Sequence, residues 1–345
     1  MKDNPLVSVV VGVRNMENTI NSCIESLLAL NYPNLEIIIV NDGSDDKTAE
    51  IVKQYPVKLF TTEKKGISHA RNFGFQKSSG MFIAYTDADC TVTTDWISSM
   101  IKHFDDDKVA LVGGVTYYQT DGSVSSIYRQ IDFEKRYNRI VEKEVNWAGG
   151  MNCIFRRKVL EEVGGFNPKW VHGEDAEISF LIRRKGYKII KENDAIVYHI
   201  PEKGFKLLIK KAYRDGAAYV RATLHHFSYS IRNKFNVTWY FPYDMVLQPV
   251  FYALLLVGIP IILILPIFLN HFVITLLFWI EIGILLFLFI YAILPAYDVS
   301  KRTPKKKSKI SYFIKSLCLH ILRGFAWGIG LYIGVFRTIK LKITS

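Results

Sequence analysis

A chain of 345 residues is long enough for two domains, or for one domain followed by a membrane region. Its formal charge of +12 does not single out nucleic acid as a partner, because the basic residues gather beside long apolar runs in the second half. Four widely separated cysteines, Cys23, Cys90, Cys153 and Cys318, show neither C-x-x-C nor zinc-ligand spacing, so no disulfide framework or zinc site is expected.

The first apolar run, Leu6–Val13, is too short for a signal peptide and lacks a cleavage pattern. It reads as a buried strand, and the N-terminal domain is expected in the cytosol. Val7-Ser8-Val9-Val10-Val11 is β-branched and apolar on both faces, as a central parallel strand requires. An amphipathic helix follows from about Asn18 to Leu30, with Ile20, Ile24, Leu27 and Leu28 on one face, and Pro33 stops it. Leu35–Val40 is a second strand ending at Asn41-Asp42-Gly43, after which Ser44-Asp45-Asp46 offers cap chemistry for a helix over Lys47–Gln54. Val57–Thr61 is a third strand, Gly66–Ser78 a helix, and Met81–Tyr85 a fourth strand ending at Thr86-Asp87. This alternation predicts a doubly wound α/β sheet whose ligand edge lies at the carboxyl ends of the strands, where Asp42 and Asp87 both fall.

Beyond this point the pattern is less regular. A helix over Thr94–Phe104 and a strand over Val109–Val115 are expected, then a helical stretch from Ser123 to Asn146 lining the site. Gly149–Asn152 and Gly164–Phe166 read as turns on either side of a helix over Arg157–Val163. Ala176–Lys185 is an amphipathic helix closed by Gly186, and Tyr187–Ile200 carries one or two short strands.

Lys203–Leu224 is basic and apolar together, with Phe205, Leu208, Ile209 and Ala212 at helical spacing, and suits either a helix lying in the bilayer interface or a solvated charged one. Val246–Leu269 and Phe272–Leu294 are each long enough to cross about 30 Å of hydrocarbon. Joined by Asn270-His271, they predict a hairpin over 246–294 with both ends cytoplasmic. Glu281 within the second span should face protein or a polar headgroup. The third segment, 311–336, contains Lys315, His320 and Arg323, and its basic tail resists placement outside; a third crossing and a re-entrant or interfacial hairpin both stay open. Gly324, Gly328, Gly330 and Gly334 permit close helix packing there. The expected division is thus 1–200, an interface region 201–240 and a membrane region 241–345.

Several short motifs occur in a fixed order: Asn15-Met16-Glu17, Val40-Asn41-Asp42-Gly43-Ser44, Ala70-Arg71-Asn72, Asp87-Ala88-Asp89, Gly149-Gly150-Met151-Asn152, Gly164-Gly165-Phe166 and Gly173-Glu174-Asp175. Together with Val7–Gly12 they resemble the family 2 glycosyltransferases of the GT-A fold, over roughly residues 5–200. The membrane region is similar only in character to members that glycosylate lipid carriers.

The residues support this reading on physical grounds. Asp42 can accept the N–H of a uracil or guanine, or can cap the following helix. Glu17 suits base or ribose binding, or an ordinary first-turn position. Arg71 suits contact with the base or diphosphate, or the surface. The departing diphosphate calls for a hard cation on oxygen ligands, and Asp87-Ala88-Asp89 offers two carboxylates. The resemblance implies that Asp87 contacts the donor's ribose or sugar, that Asp89 binds Mn²⁺ or Mg²⁺, and that His199 completes the metal site; a packed or surface role for His199 stays open. Inversion at an anomeric carbon needs a base, and Asp175 is the candidate, kept ionised by the positive end of its helix, with Glu174 supporting the acceptor or orienting Asp175. Helix capping is its plain alternative.

The resulting expectation is an integral membrane enzyme with a cytosolic catalytic domain. It would be a metal-dependent inverting glycosyltransferase of hexosyltransferase type, using a UDP- or GDP-linked sugar. Its acceptor would be a polyprenyl phosphate or lipid-linked saccharide. Two alternatives are a processive polysaccharide synthase, disfavoured because Gln-x-x-Arg-Trp does not occur, and a non-catalytic membrane scaffold, disfavoured because Asp89 and Asp175 are both present.

Overall fold

A computed structural model describes residues 4–138, 140–170, 172–201, 204–232 and 271–343, together with helical positions 251–252, 254–256, 258 and 260. The chain forms two compact units, Met1–Gln119 with Tyr137–Ile200, and Thr120–Arg136 with Pro201–Ser345.

The first unit is built on β1 (Val7–Val13), α1 (Ile20–Leu28), β2 (Leu35–Asp42), α2 (Thr48–Val52), β3 (Lys58–Thr62), α3 (Ile67–Lys77) and β4 (Phe82–Asp87). These boundaries lie within two residues of the expected ones. Every residue of β1 is buried. Val9 and Val11 face one core with Ile20, Ile24 and Leu27 of α1. Val10 faces a second core with Ile38, Val40 and Ala70. A strand covered on both faces has no use for polar alternation, which explains its run of valines.

Parallel pairing of β1 with β2 and with β4 sets Gly12 opposite both Val40 and Asp87. The chain therefore winds outward through β2 and β3, then returns to the other side of β1. Ligand crevices form at such a reversal, and Asp42 and Asp87 both sit at it. The remaining strands are β5 (Cys90–Val92), β6 (Val109–Tyr118), β7 (Glu144–Val145), β8 (Asn152–Arg156) and β9 (Lys188–His199). Helices α4 (Trp96–Ile101), α6 (Arg157–Glu162) and α7 (Glu174–Arg184) cover them. The strand order is β3-β2-β1-β4-β8-β6-β9-β5, with β7 on β9. β8 runs antiparallel between β4 and β6, and β5 runs antiparallel on β9, so the sheet is mixed and mostly parallel.

The expected long helix over Ser123–Asn146 is a correction. α5 (Val124–Phe133) gives way to a π-helical turn at Glu134–Asn138, and β7 then pairs with β9. Tyr137 and Trp147 are buried and meet edge to face at 5.1 Å, so packing ends the helix early.

The second unit holds α5, α8 (Phe205–Arg232), α9 (His271–Lys301) and α10 (Lys309–Ile343). Arg323 of α10 forks onto Asp132 of α5 at 2.9 and 3.1 Å and donates to the Tyr128 hydroxyl at 3.0 Å. Trp327 meets Gly216, Gly330 meets Tyr213 and Ala217, and Gly334 meets Ala217 and Val220. From Gly330 against Tyr213 to Gly334 against Ala217 both helices advance four residues, so α8 and α10 run parallel at backbone-to-backbone separation, as the glycine spacing anticipated. α10 is one continuous helix, which removes the re-entrant hairpin as an option.

Among the described residues, two helical stretches are long and apolar enough to cross a membrane, Val273–Lys301 at mean hydropathy 2.7 and Lys309–Phe336 at 1.4. The first leaves Trp279, Leu286, Ile290 and Leu294 at 58–63 % exposure, a contiguous apolar surface that suits lipid. Glu281 does face protein, because its carboxylate lies against Gly258. The expected span Val246–Leu269 and the connecting Asn270 lie outside the described residues, apart from scattered helical positions.

Close helix–sheet approach in the first unit gives a direct test. A Cβ at Gly74 of α3 would sit 2.3 Å from Val10 Cγ1. Gly74→Val should therefore destabilise the protein by about 1–3 kcal/mol, read from denaturant unfolding in detergent, while unchanged stability would contradict this packing.

Candidate active site

The site centres on Arg71. Helix α3 rests on β1 and β2 through small residues, Gly12, Ala70 and Gly74, which brings its buried face close to the strand ends. Arg71 lies on that face and is 3 % exposed. Its Nη2 donates to Asp87 Oδ1 at 2.9 Å and its Nη1 to Glu174 Oε1 at 2.9 Å. The guanidinium also lies 5.3 Å from the Phe166 ring centroid. Such a charge is tolerated inside the fold because two carboxylates and a π face share it.

The surrounding motifs serve this arginine. A Cβ at Gly150 would approach Arg71 Nη1 to 2.7 Å, so this position has to be bare. Asn72 donates to the Phe166 carbonyl at 2.6 Å and accepts from the Phe166 N–H at 2.8 Å, which pins the Gly164-Gly165-Phe166 turn. Asn152 donates to the Val115 and Ala195 carbonyls and accepts from Trp96 Nε1, fixing the end of the glycine turn to the sheet. Sequence reading gave Phe166, Gly150 and Asn152 no individual role, because each acts through a residue far away in the chain.

Asp175 follows Glu174 at the start of α7. Its Oδ1 accepts from the Ala176 N–H at 2.8 Å, and its Oδ2 lies 3.4 Å from the Gly150 N–H. Burial, then the neighbouring Glu174, pushes its carboxyl up to about 7, against the opposing pull of Arg71. The helix start was expected to hold Asp175 firmly ionised; burial beside a second carboxylate outweighs it. A group near 7 is suited to accept a proton at neutral pH and give it up again.

Asp42 is buried, and its two oxygens accept from the Lys65 and Gly66 N–H groups at 2.8 Å each. It fastens the loop that leads into α3, rather than capping α2. Glu17 Oε2 accepts from the Lys47 N–H at 3.1 Å, and the Glu17 N–H donates to Asp46 Oδ2 at 3.1 Å. With Asn15 accepting from Asp45 and Met16 donating to Thr48, the first two loops latch together. Arg71, expected at the base or diphosphate or at the surface, is buried with its guanidinium turned onto the two carboxylates.

Asp89 and His199 are brought together by β5 and β9. These strands pair antiparallel with Cys90 opposite His199, and the Ile200 N–H donates to the Asp89 carbonyl at 3.0 Å. Asp89 Oδ1 then lies 3.5 Å from His199 Nε2, and the Tyr118 ring packs on His199 at 4.7 Å. A carboxylate oxygen and an imidazole nitrogen at this separation suit one divalent cation, so the residues fit the expected metal. Cys90 Sγ is 3.8 Å from Asp89 Oδ1, a neighbour the sequence spacing did not flag.

The electrostatics of Asp175 predict a stability signature. Its folded carboxyl binds a proton more tightly than an unfolded aspartate near 3.8, so the native state loses stability as pH rises from about 4 to about 7. Asp175→Asn has no such loss. Its melting temperature should exceed the wild type's by several degrees at pH 8 and by little at pH 5; a gap that narrows with rising pH would contradict this.

Comparison with known proteins agrees with the geometry. Residues 8–164 match the profile of Glycosyl transferase family 2. Glycosyltransferase AglE of Haloferax volcanii is 28 % identical over 225 residues, covering 63 % of this chain and 74 % of that protein. Poly-beta-1,6-N-acetyl-D-glucosamine synthase of Staphylococcus epidermidis is 27 % identical over 208 residues, covering 57 % of this chain but only 50 % of the synthase. Among solved structures, mannosyltransferase PcManGT from Pyrobaculum calidifontis, in complex with GDP-Man and Mn²⁺, aligns over 98 % of this chain and 88 % of its own at a TM-score of 0.56 and 18 % identity. That likeness speaks to fold. Motif order and sequence similarity thus liken residues 8–164 to Glycosyl transferase family 2, and the sheet topology gives the chain a GT-A-type fold.

Proposed function

We propose that the protein is an inverting glycosyltransferase that moves a sugar from a UDP- or GDP-linked donor to a lipid-linked acceptor at the cytosolic membrane face. The observation that carries the reading is the Arg71 bridge between Asp87, at the end of β4, and Glu174, beside Asp175 at the start of α7, with the Asp89–His199 pair two residues beyond Asp87. In this scheme Asp42, Glu17 and Asp87 frame the donor. Asp175 takes the proton from the acceptor hydroxyl as its oxygen bonds to the anomeric carbon and the bond to the nucleoside diphosphate breaks. Arg71 is a positioning residue that orients Asp87 and Glu174. Mn²⁺ or Mg²⁺ at Asp89 and His199 would supply neutralisation of the diphosphate's growing charge.

A lipid-linked acceptor, such as a polyprenyl phosphate, is supported by the two apolar helices and by the exposed apolar face of α9. The basic side chains of α8, Lys206, Lys210 and Arg214 among them, suit anionic headgroups. Processive polysaccharide synthesis is the second reading, favoured by similarity to the staphylococcal synthase and opposed by the lack of Gln-x-x-Arg-Trp.

The test uses the full chain in detergent, a panel of sugar nucleotides and extracted membrane lipid. Nucleoside diphosphate release should track label entering the lipid fraction, one sugar per acceptor. Asp175→Asn should still bind donor while turnover falls on the order of 10²–10⁴-fold. Asp89→Ala should abolish turnover, and chelator should do the same to the wild type until Mn²⁺ or Mg²⁺ is restored. Near-normal turnover by Asp175→Asn would assign the base elsewhere; long polymer products would favour the synthase.

A further inference from the structure

The Asp89–His199 pair has a third donor beside it. Cys90 and His199 are directly opposed in the antiparallel β5–β9 pair, and directly opposed residues project from the same face of a sheet. One oxygen of Asp89, the sulfur of Cys90 and one nitrogen of His199 all lie within 4.8 Å of one another. Two edges of this triangle are 3.5 Å, from Asp89 Oδ1 to His199 Nε2, and 3.8 Å, from Cys90 Sγ to Asp89 Oδ1. Tetrahedral zinc with bonds of about 2.0–2.3 Å separates its ligands by roughly 3.3–3.7 Å, so the observed spacing needs only small side-chain adjustment.

We propose that Cys90 makes this centre a binding site for thiophilic divalent cations, Zn²⁺ and Cd²⁺, which displace Mn²⁺ or Mg²⁺ by adding a sulfur ligand to Asp89 and His199. The inference rests on the metal role given above to Asp89 and His199. Hard cations are satisfied by the carboxylate, the imidazole and donor phosphates, and have little use for sulfur. A softer cation gains a thiolate bond, the Cys90 thiol giving its proton to solvent as the Cys90–metal bond forms. Cys90 thereby sets which metals the centre accepts. The sequence conceals this, because the cysteine stands apart from Cys23, Cys153 and Cys318, and its partner histidine lies on a distant strand.

The experiment uses the full chain carrying Cys318→Ser, since Cys318 is exposed and would bind such ions independently. Cd²⁺ and Co²⁺ are titrated alone while the ultraviolet sulfur-to-metal charge-transfer band is recorded, and Mn²⁺ binding is measured separately by electron paramagnetic resonance. The parent should develop the band at one equivalent, and Zn²⁺ should displace bound Mn²⁺. Cys90→Ser and Cys90→Ala should lose the band and retain Mn²⁺ binding, with the Zn²⁺-over-Mn²⁺ preference reduced on the order of tenfold or more. Two variants guard against a folding defect in either. Mn²⁺ binding with no charge-transfer band would overturn the role of Cys90 and leave the metal reading intact. A band dependent on Cys90 without Mn²⁺ binding would uphold the thiophilic site and remove the Mn²⁺ reading. A band that survives both substitutions would place the sulfur donor elsewhere and refute the proposal.

Discussion

One buried guanidinium organises the first unit. Arg71 has almost no solvent contact and holds Asp87 from β4 and Glu174 from α7 at hydrogen-bonding distance. A buried charge deprived of its partner typically costs about 3–5 kcal/mol, so none of the three residues is independent of the others. Several otherwise puzzling features follow from accommodating this group. The glycine turn at Gly149-Gly150 clears a path for it, Phe166 offers it a ring face, and Asn72 fixes the turn that carries Phe166. Segments distant in sequence become one rigid frame because each is tied to the same side chain or to its immediate neighbour.

The frame also explains how two adjacent carboxylates differ. Glu174 is engaged by Arg71, while Asp175 receives backbone donors and remains crowded by Glu174. Crowding and burial push Asp175 toward neutral pH, where a carboxylate becomes a competent proton acceptor that can also be discharged. The ion-paired carboxylate and the one proposed as base are thus neighbouring residues, and the native state carries an electrostatic cost at the position where chemistry is proposed.

Much of this was legible in the sequence. β1 to β4 alternate with helices whose periodicities are plain, and the strand-end acids Asp42 and Asp87 fall where a doubly wound sheet binds ligands. Other features were not legible for physical reasons. β5 and β7 are two or three residues long, and their existence depends on pairing with β9. The helix expected through Asn146 ends early because Tyr137 and Trp147 pack on each other, a tertiary effect that local propensity does not encode. Arg71 looked like a ligand-facing cation; its burial follows from the closeness of α3 to the sheet, which depends on Gly12 and Gly74 contacting residues of other elements. In the second unit, the glycines of α10 did announce close packing, but their partner α8 was not identifiable from spacing alone.

Asp175, set near neutrality by burial and Glu174, is proposed as the proton acceptor in sugar transfer. The pH dependence of kcat/KM reports the ionisation of the free enzyme's essential base, and so tests that claim most directly. With Asp175 as base, the acidic limb should rise with unit slope and level off near pH 7. A profile that is flat from pH 5 to pH 9 would contradict it.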